Sequence, residues 1–200
     1  VEIKQANLIF KRDHVKRAQT KRIAVHHSAS APSTTILDIQ AWHHARDFYG
    51  IGYHYVIYAN GDIYQGRPEW AIGAHAIGGN NDSIGICLCG NFETGKPTPE
   101  QMTSLVLLIR DIWTRYPRVA VVRHSDIQAT ACPGRLFPWA EMIKRLEGKK
   151  VIEQWKIDAI KKLEAAGILM PNVHAAEEPA DKGWVAAVIV NVLKKLEGSK

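Results

Sequence analysis

The chain has 200 residues, 46% apolar and 23% charged, with a formal net charge of +6. Such a chain can bury one ordinary core with room for a small appendage, and no run reaches the roughly 18 apolar residues of a membrane span, so membrane insertion is not expected. The positive balance attracts polyanions of any kind, but the Arg–aromatic interleaving of a nucleic-acid platform is not evident, and no nucleic-acid partner is expected.

In chain order, residues 1–19 read as a basic arm, "VEIKQANLIFKRDHVKRAQ", without the basic, apolar, small-residue order of a signal peptide. "KRIAVHHSAS" is a short β-branched run ending in a loop, and "TTILDIQAWHHARDFYG" has a Thr cap, helical periodicity and a terminal glycine. "YHYVIYANGDIYQGR" places two apolar runs around Asn60-Gly61, a strong hairpin signal. "SIGICLCGNF" reads as a buried central strand, "TPEQMTSLVLLIRDIWTRYP" as an amphipathic helix with a Thr cap and Pro in its first turn, "VAVVRH" as a strand and "FPWAEMIKRLEG" as a helix. This order implies an α/β domain over 20–148, with a central mixed β-sheet flanked by helices. Over 149–200, Trp155, Ile160 and Leu163 at helical spacing and the apolar "WVAAVIVNVLKKLEG" give a small C-terminal helical module. Two helices cannot hide that much apolar surface alone, so they pack on each other and on the domain or on a second copy.

Three cysteines cannot all pair, and Cys87 and Cys89 share one face of an apolar strand as small buried hydrophobes. Cys132 differs, because "RHSDIQATACPG" sets it in a polar, turn-rich loop eight positions after His124. His26 and His124 each stand at the end of a predicted strand. If these ends converge, His26, His124 and Cys132 make a His-His-Cys set with one open position, the arrangement of a catalytic zinc site. His26 and His27 point to opposite faces of the strand, so one of them can be a ligand while the other is solvated or capping, and position favours His26 as the ligand. His43 and His44 lack a partner at the four-residue spacing of a helical zinc pair and read as surface helix residues, and His54 as a core or structural residue.

The segments "IAVHHSAS", "GIGYHYVIYANGDIYQGRP", "GAHAIGGNNDSIGICLCGNF" and "RHSDIQATACPG" resemble, in order and spacing, the zinc amidases that include small phage lysozymes and peptidoglycan recognition proteins. The resemblance runs from about residue 20 to 147. It implies a zinc-dependent N-acetylmuramoyl-L-alanine amidase, cutting the amide between muramic acid and the first alanine of the stem peptide. The family's ligands fall on His26, His124 and Cys132, and its catalytic tyrosine on Tyr53. Thr130 matches the recognition-protein variant at a position where phage lysozymes often carry lysine. His75 and Asn80 occupy family-typical positions on a loop expected to bind sugar or peptide. Trp42 and Trp70 are further candidates for stacking on substrate, with core packing the favoured reading of Trp42. Glu69 and Asp82 lie within the matched segments, and neither is assigned as general base.

The resemblance further implies a phage endolysin that lyses the bacterial host, made in the host cytoplasm and acting on the cell wall, or outside the cell if a leader has been removed from before Val1. A bacterial autolysin and a non-catalytic peptidoglycan-binding receptor are the alternatives, the latter disfavoured by Cys132. A polymerase-binding role has no support in the sequence. Peptidoglycan is the expected partner, and the C-terminal helices are expected either to bind the wall or to self-associate.

Overall fold

The computed structural model describes residues 1–147, so the helical module expected over 149–200 lies outside the described residues. Five strands, β1 (Arg22–His27), β2 (Tyr55–Ile57), β3 (Ile63–Gln65), β4 (Ser83–Leu88) and β5 (Ala120–Arg123), form one sheet in the order β3-β2-β4-β1-β5. The hairpin strand β3 is antiparallel to β2 and every other pairing is parallel, which gives the expected mixed α/β sheet. Parallel neighbours need crossovers, and the helices α1 (Ile36–His44) and α2 (Pro99–Arg115) lie in two of them, with α3 (Trp139–Glu147) following β5. No helix among the described residues is long and apolar enough to cross a membrane.

Local chemistry sets these boundaries. Thr35 and Asp38 exchange side-chain and backbone hydrogen bonds to start α1, and Thr98 and Gln101 do the same for α2, with Pro99 at its first position. Helix α1 stops at His44 rather than running to Gly50, because Asp47 adopts a left-handed φ of 59° and the Phe48 N–H turns back to the His43 carbonyl. The β2–β3 hairpin has a wider loop than Asn60-Gly61 alone. The Tyr58 N–H bonds the Asp62 carbonyl, Asn60 Oδ1 accepts from the Asp62 N–H, and Gly61 takes a φ of 88° that suits glycine.

Strand alternation divides the sheet into two unlike faces. Ile23 and Val25 of β1, Tyr55 and Ile57 of β2, and Ile84, Ile86 and Leu88 of β4 pack against Met102, Leu105, Val106, Ile109 and Ile112 of α2 and Met142 and Leu146 of α3. The opposite face carries Val56, Cys87 and Cys89 beneath Ile36 and Ile39 of α1. That second face also receives Ala24, His26 and Gly85, the alternate residues of β1 and β4.

Residues 1–19 touch the rest of Val1–Leu146 at isolated bridges, Lys4 to Tyr64 and Lys16 to Ala71. Arg17 is buried, donating to Thr20 Oγ1 and to the carbonyls of Glu69, Ala71 and Ser83.

Candidate metal centre

The site lies at the carboxyl ends of adjacent parallel strands, the usual place for a crevice in an α/β sheet. His26 is the fifth residue of β1 and fully buried, and His124 follows β5 directly, opening a short 3-10 turn to Asp126. Because β1 pairs with β5, the two imidazoles meet with ring centroids 4.4 Å apart. The loop after the turn folds back to bring in Cys132. The Ser125 N–H donates to the Cys132 carbonyl at 3.0 Å, and the His27 N–H points at Cys132 Sγ at 3.4 Å. The ligand atoms of His26, His124 and Cys132 lie within 4.8 Å of one another.

These donors suit a metal ion. A tetrahedral ion with sulfur at about 2.3 Å and nitrogen at about 2.0 Å sets those two atoms about 3.6 Å apart, and His26 Nδ1 stands 3.8 Å from Cys132 Sγ. His124 Nε2 is buried with no hydrogen-bond partner among the described residues, an orphan that ordinary packing would avoid. Burial, and next the neighbouring His124, hold His26 well below the usual imidazole range, and burial also lowers His124. Burial pushes the Cys132 thiol up to about 12, against a smaller opposing effect of the His27 N–H. In the metal-free protein the set is therefore two neutral imidazoles and a neutral thiol, and a cation would displace the thiol proton.

Tyr53 lies just before β2, its ring centroid 5.1 Å from that of His26. Burial, together with the Cys87 and Cys132 sulfurs, raises its phenol well above the ordinary value, so it is a proton-bearing donor at neutral pH. Thr130 is exposed, and its Oγ1 accepts from the Cys132 N–H at 3.3 Å.

His75 and Asn80, expected to face substrate, are both engaged inside the protein. His75 is 8% exposed with Nδ1 3.0 Å from His26 Nε2, and Asn80 Oδ1 accepts from the N–H groups of His75 and Ala76. The pairing of His75 with His26 carries no local sequence signal, since 49 residues separate them.

Three further histidines, His27, His54 and His43, hold backbone groups. His27 Nδ1 accepts from the Phe92 N–H, and His54 is fully buried between the Gly85 N–H and the Ala71 carbonyl. His43 corrects the surface-helix expectation, because it is buried and its Nδ1 accepts from the Gly52 N–H. Trp42 corrects the core expectation, being 45% exposed, and Trp70 is 47% exposed. Glu69 is paired with Arg115 and accepts from Tyr55, and Asp82 is paired with Arg22, so both carboxylates have structural partners.

The family described as N-acetylmuramoyl-L-alanine amidase matches residues 16–135, which include every candidate site residue. The chain is 39% identical to an endolysin of Enterobacteria phage T3 over 124 residues, 58% of this chain and 82% of that protein. It is 37% identical to a peptidoglycan-recognition protein of Drosophila melanogaster over 122 residues, 56% of this chain and 67% of that one. Among solved structures, the N-acetylmuramoyl-L-alanine amidase LysC from Clostridium intestinale superposes with a TM-score of 0.70 at 37% identity, covering 73% of this chain and 97% of that one. Drosophila PGRP-LB superposes with a TM-score of 0.60 at 30% identity, covering 67% and 85%.

Proposed function

The chain belongs to the N-acetylmuramoyl-L-alanine amidase family, and from that premise we propose that it is a zinc-dependent endolysin whose centre is His26, His124 and Cys132. Its substrate is the amide joining N-acetylmuramic acid to the L-alanine of the stem peptide. The convergence of three metal-type donors from β1, the end of β5 and the following loop carries this reading. Bound there, zinc supplies Lewis-acid polarisation of the scissile carbonyl and lowers the pKa of a coordinated water towards about 7.

The chain's own residues do the rest. Cys132 and the two imidazoles give one negative charge to three ligands, leaving the cation a net positive field for the developing oxyanion. Tyr53 keeps its proton and sits beside His26, where it donates a hydrogen bond to that oxyanion or a proton to the departing amine. Thr130 keeps its hydroxyl hydrogen free while its oxygen accepts from the Cys132 N–H, so it both braces the ligand loop and offers a second donor. Two carboxylates of the matched segments, Glu69 and Asp82, are held in ion pairs, which leaves the acid-base work to Tyr53 and the metal centre.

The protein acts on bacterial peptidoglycan as a lytic enzyme reaching the wall from within the host. Residues 20–148 are the catalytic domain in this reading, 1–19 its basic N-terminal segment, and 149–200 a module that binds the wall or self-associates. Digestion of purified peptidoglycan, with mass spectrometry before chelation, after it and after zinc return, tests the reading. Stem peptides with a free N-terminal alanine, lost with chelator and regained with zinc, are expected. Tight wall binding without cleavage would assign the protein to the receptor class.

A further inference from the structure

Three fully or nearly buried side chains lie in line behind the centre. Ser83 Oγ is 2.5 Å from the Gly79 carbonyl oxygen and 3.5 Å from His75 Nε2, and His75 Nδ1 is 3.0 Å from His26 Nε2. A carbonyl oxygen only accepts, so the Ser83 hydroxyl spends its hydrogen on Gly79. What Ser83 then offers His75 is a lone pair, and His75 carries its proton on Nε2. Its Nδ1 is thereby an acceptor, and the single proton shared along the His75–His26 contact belongs to His26 Nε2. That leaves the lone pair of His26 on Nδ1, the atom 3.8 Å from Cys132 Sγ.

We propose that His75 is a positioning residue, which with Ser83 fixes His26 as the Nε2–H tautomer and aims its Nδ1 lone pair at the metal centre. The inference rests on the reading of that centre as a metal site, and it extends the reading to a residue that touches neither metal nor substrate. Metal-bound imidazoles are commonly oriented through their second nitrogen, usually by a carboxylate or carbonyl; here a neutral imidazole, itself polarised by a serine and a backbone carbonyl, does so.

The surroundings are shaped around the His75 ring. A Cβ on Gly85 would come within 2.4 Å of the His75 ring and one on Gly73 within 2.5 Å, so both positions are bare to admit it. Asn80 Oδ1 ties down the His75 and Ala76 N–H groups, and Ser83 is fully buried.

The test uses the full chain. Long-range proton–nitrogen spectra of the metal-free protein should report His26 protonated on Nε2, and His75→Ala should remove that bias. In chelator competition His75→Ala should bind zinc about 10- to 100-fold more weakly than the wild type. His75→Asn places a carbonyl oxygen where Nδ1 stands and should recover most of the affinity, and Ser83→Ala should lose several-fold. Melts in chelator check folding, and if His75→Ala does not fold, the wild-type tautomer, His75→Asn and Ser83→Ala still decide. A wild-type His26 proton on Nδ1, or a folded His75→Ala with wild-type zinc affinity, would overturn the inference alone. A wild type that binds no zinc would overturn the metal reading and the inference with it.

Discussion

The two faces of one sheet do opposite work. Against α2 and α3, β1 and β4 present the aliphatic side chains Ile23, Val25, Ile84, Ile86 and Leu88, all fully buried, with His27 closing the row at the end of β1. One residue along, the same strands present His26, Gly85 and Cys87 to a face where histidine rings gather. The period-2 alternation of a strand thus places a dry core and a polar centre about one strand thickness apart. Burial helps both. It adds stability on the first face, roughly 1.5–3 kcal/mol for each large aliphatic side chain, and on the second it keeps the imidazoles of His26 and His75 neutral.

If the division holds, each face should fail in its own way. Cys132→Ala and His26→Ala are expected to abolish both stoichiometric zinc and amidase activity, while melting in chelator close to the wild type. Elemental analysis of dialysed protein checks the metal, and wild-type zinc content in Cys132→Ala would break the ligand assignment. On the other face, Leu105→Ala should lower stability by about 2–5 kcal/mol in denaturant titration, with zinc affinity unchanged below the transition. Zinc loss in that variant at full folding would mean that the faces are coupled. Tyr53→Phe belongs to neither failure. It should keep zinc and stability yet lose about 100-fold in turnover, the cost of one oxyanion donor, and an undiminished turnover would remove Tyr53 from the chemistry.

The aliphatic face is almost wholly legible in the sequence, because its strands and α2 carry the periodicities that burial imposes. Of the centre, strand-end position anticipates that His26 and His124 converge with Cys132, and alternation puts His26 and His27 on opposite faces, the structure turning His27 to Phe92 on the other side. What the sequence hides is contact between distant loops. His43 reads as exposed because its burial depends on Gly52, in a different segment, and Arg17 finds its carbonyl partners among residues 69–83. The link of His75 to His26 is of the same kind, three-dimensional and without period. Helix α1 falls short of Gly50 because a left-handed Asp47, which no propensity signals strongly, ends it first.

The subtlest consequence of the polar face is its pH response. Burial lowers His26 and His124 from the ordinary imidazole value near 6.5, so above neutral pH both are already deprotonated and ready to ligate. Cys132 is pushed up to about 12, so over the same range it still holds its proton. Metal binding must therefore release a proton from sulfur, and the apparent zinc affinity should rise by at least about tenfold for each pH unit between roughly 7 and 9, and more steeply where a coordinated water also loses its proton. Chelator competition across pH measures the slope, and calorimetry in buffers of different ionisation heat counts the proton. A slope above one would count a further proton from a coordinated water or an imidazole, and a flat one would mean that Cys132 gives up no proton to the metal. Leu105→Ala, on the opposite face, should leave the slope as it is in the wild type, because nothing it changes touches a proton that the metal displaces.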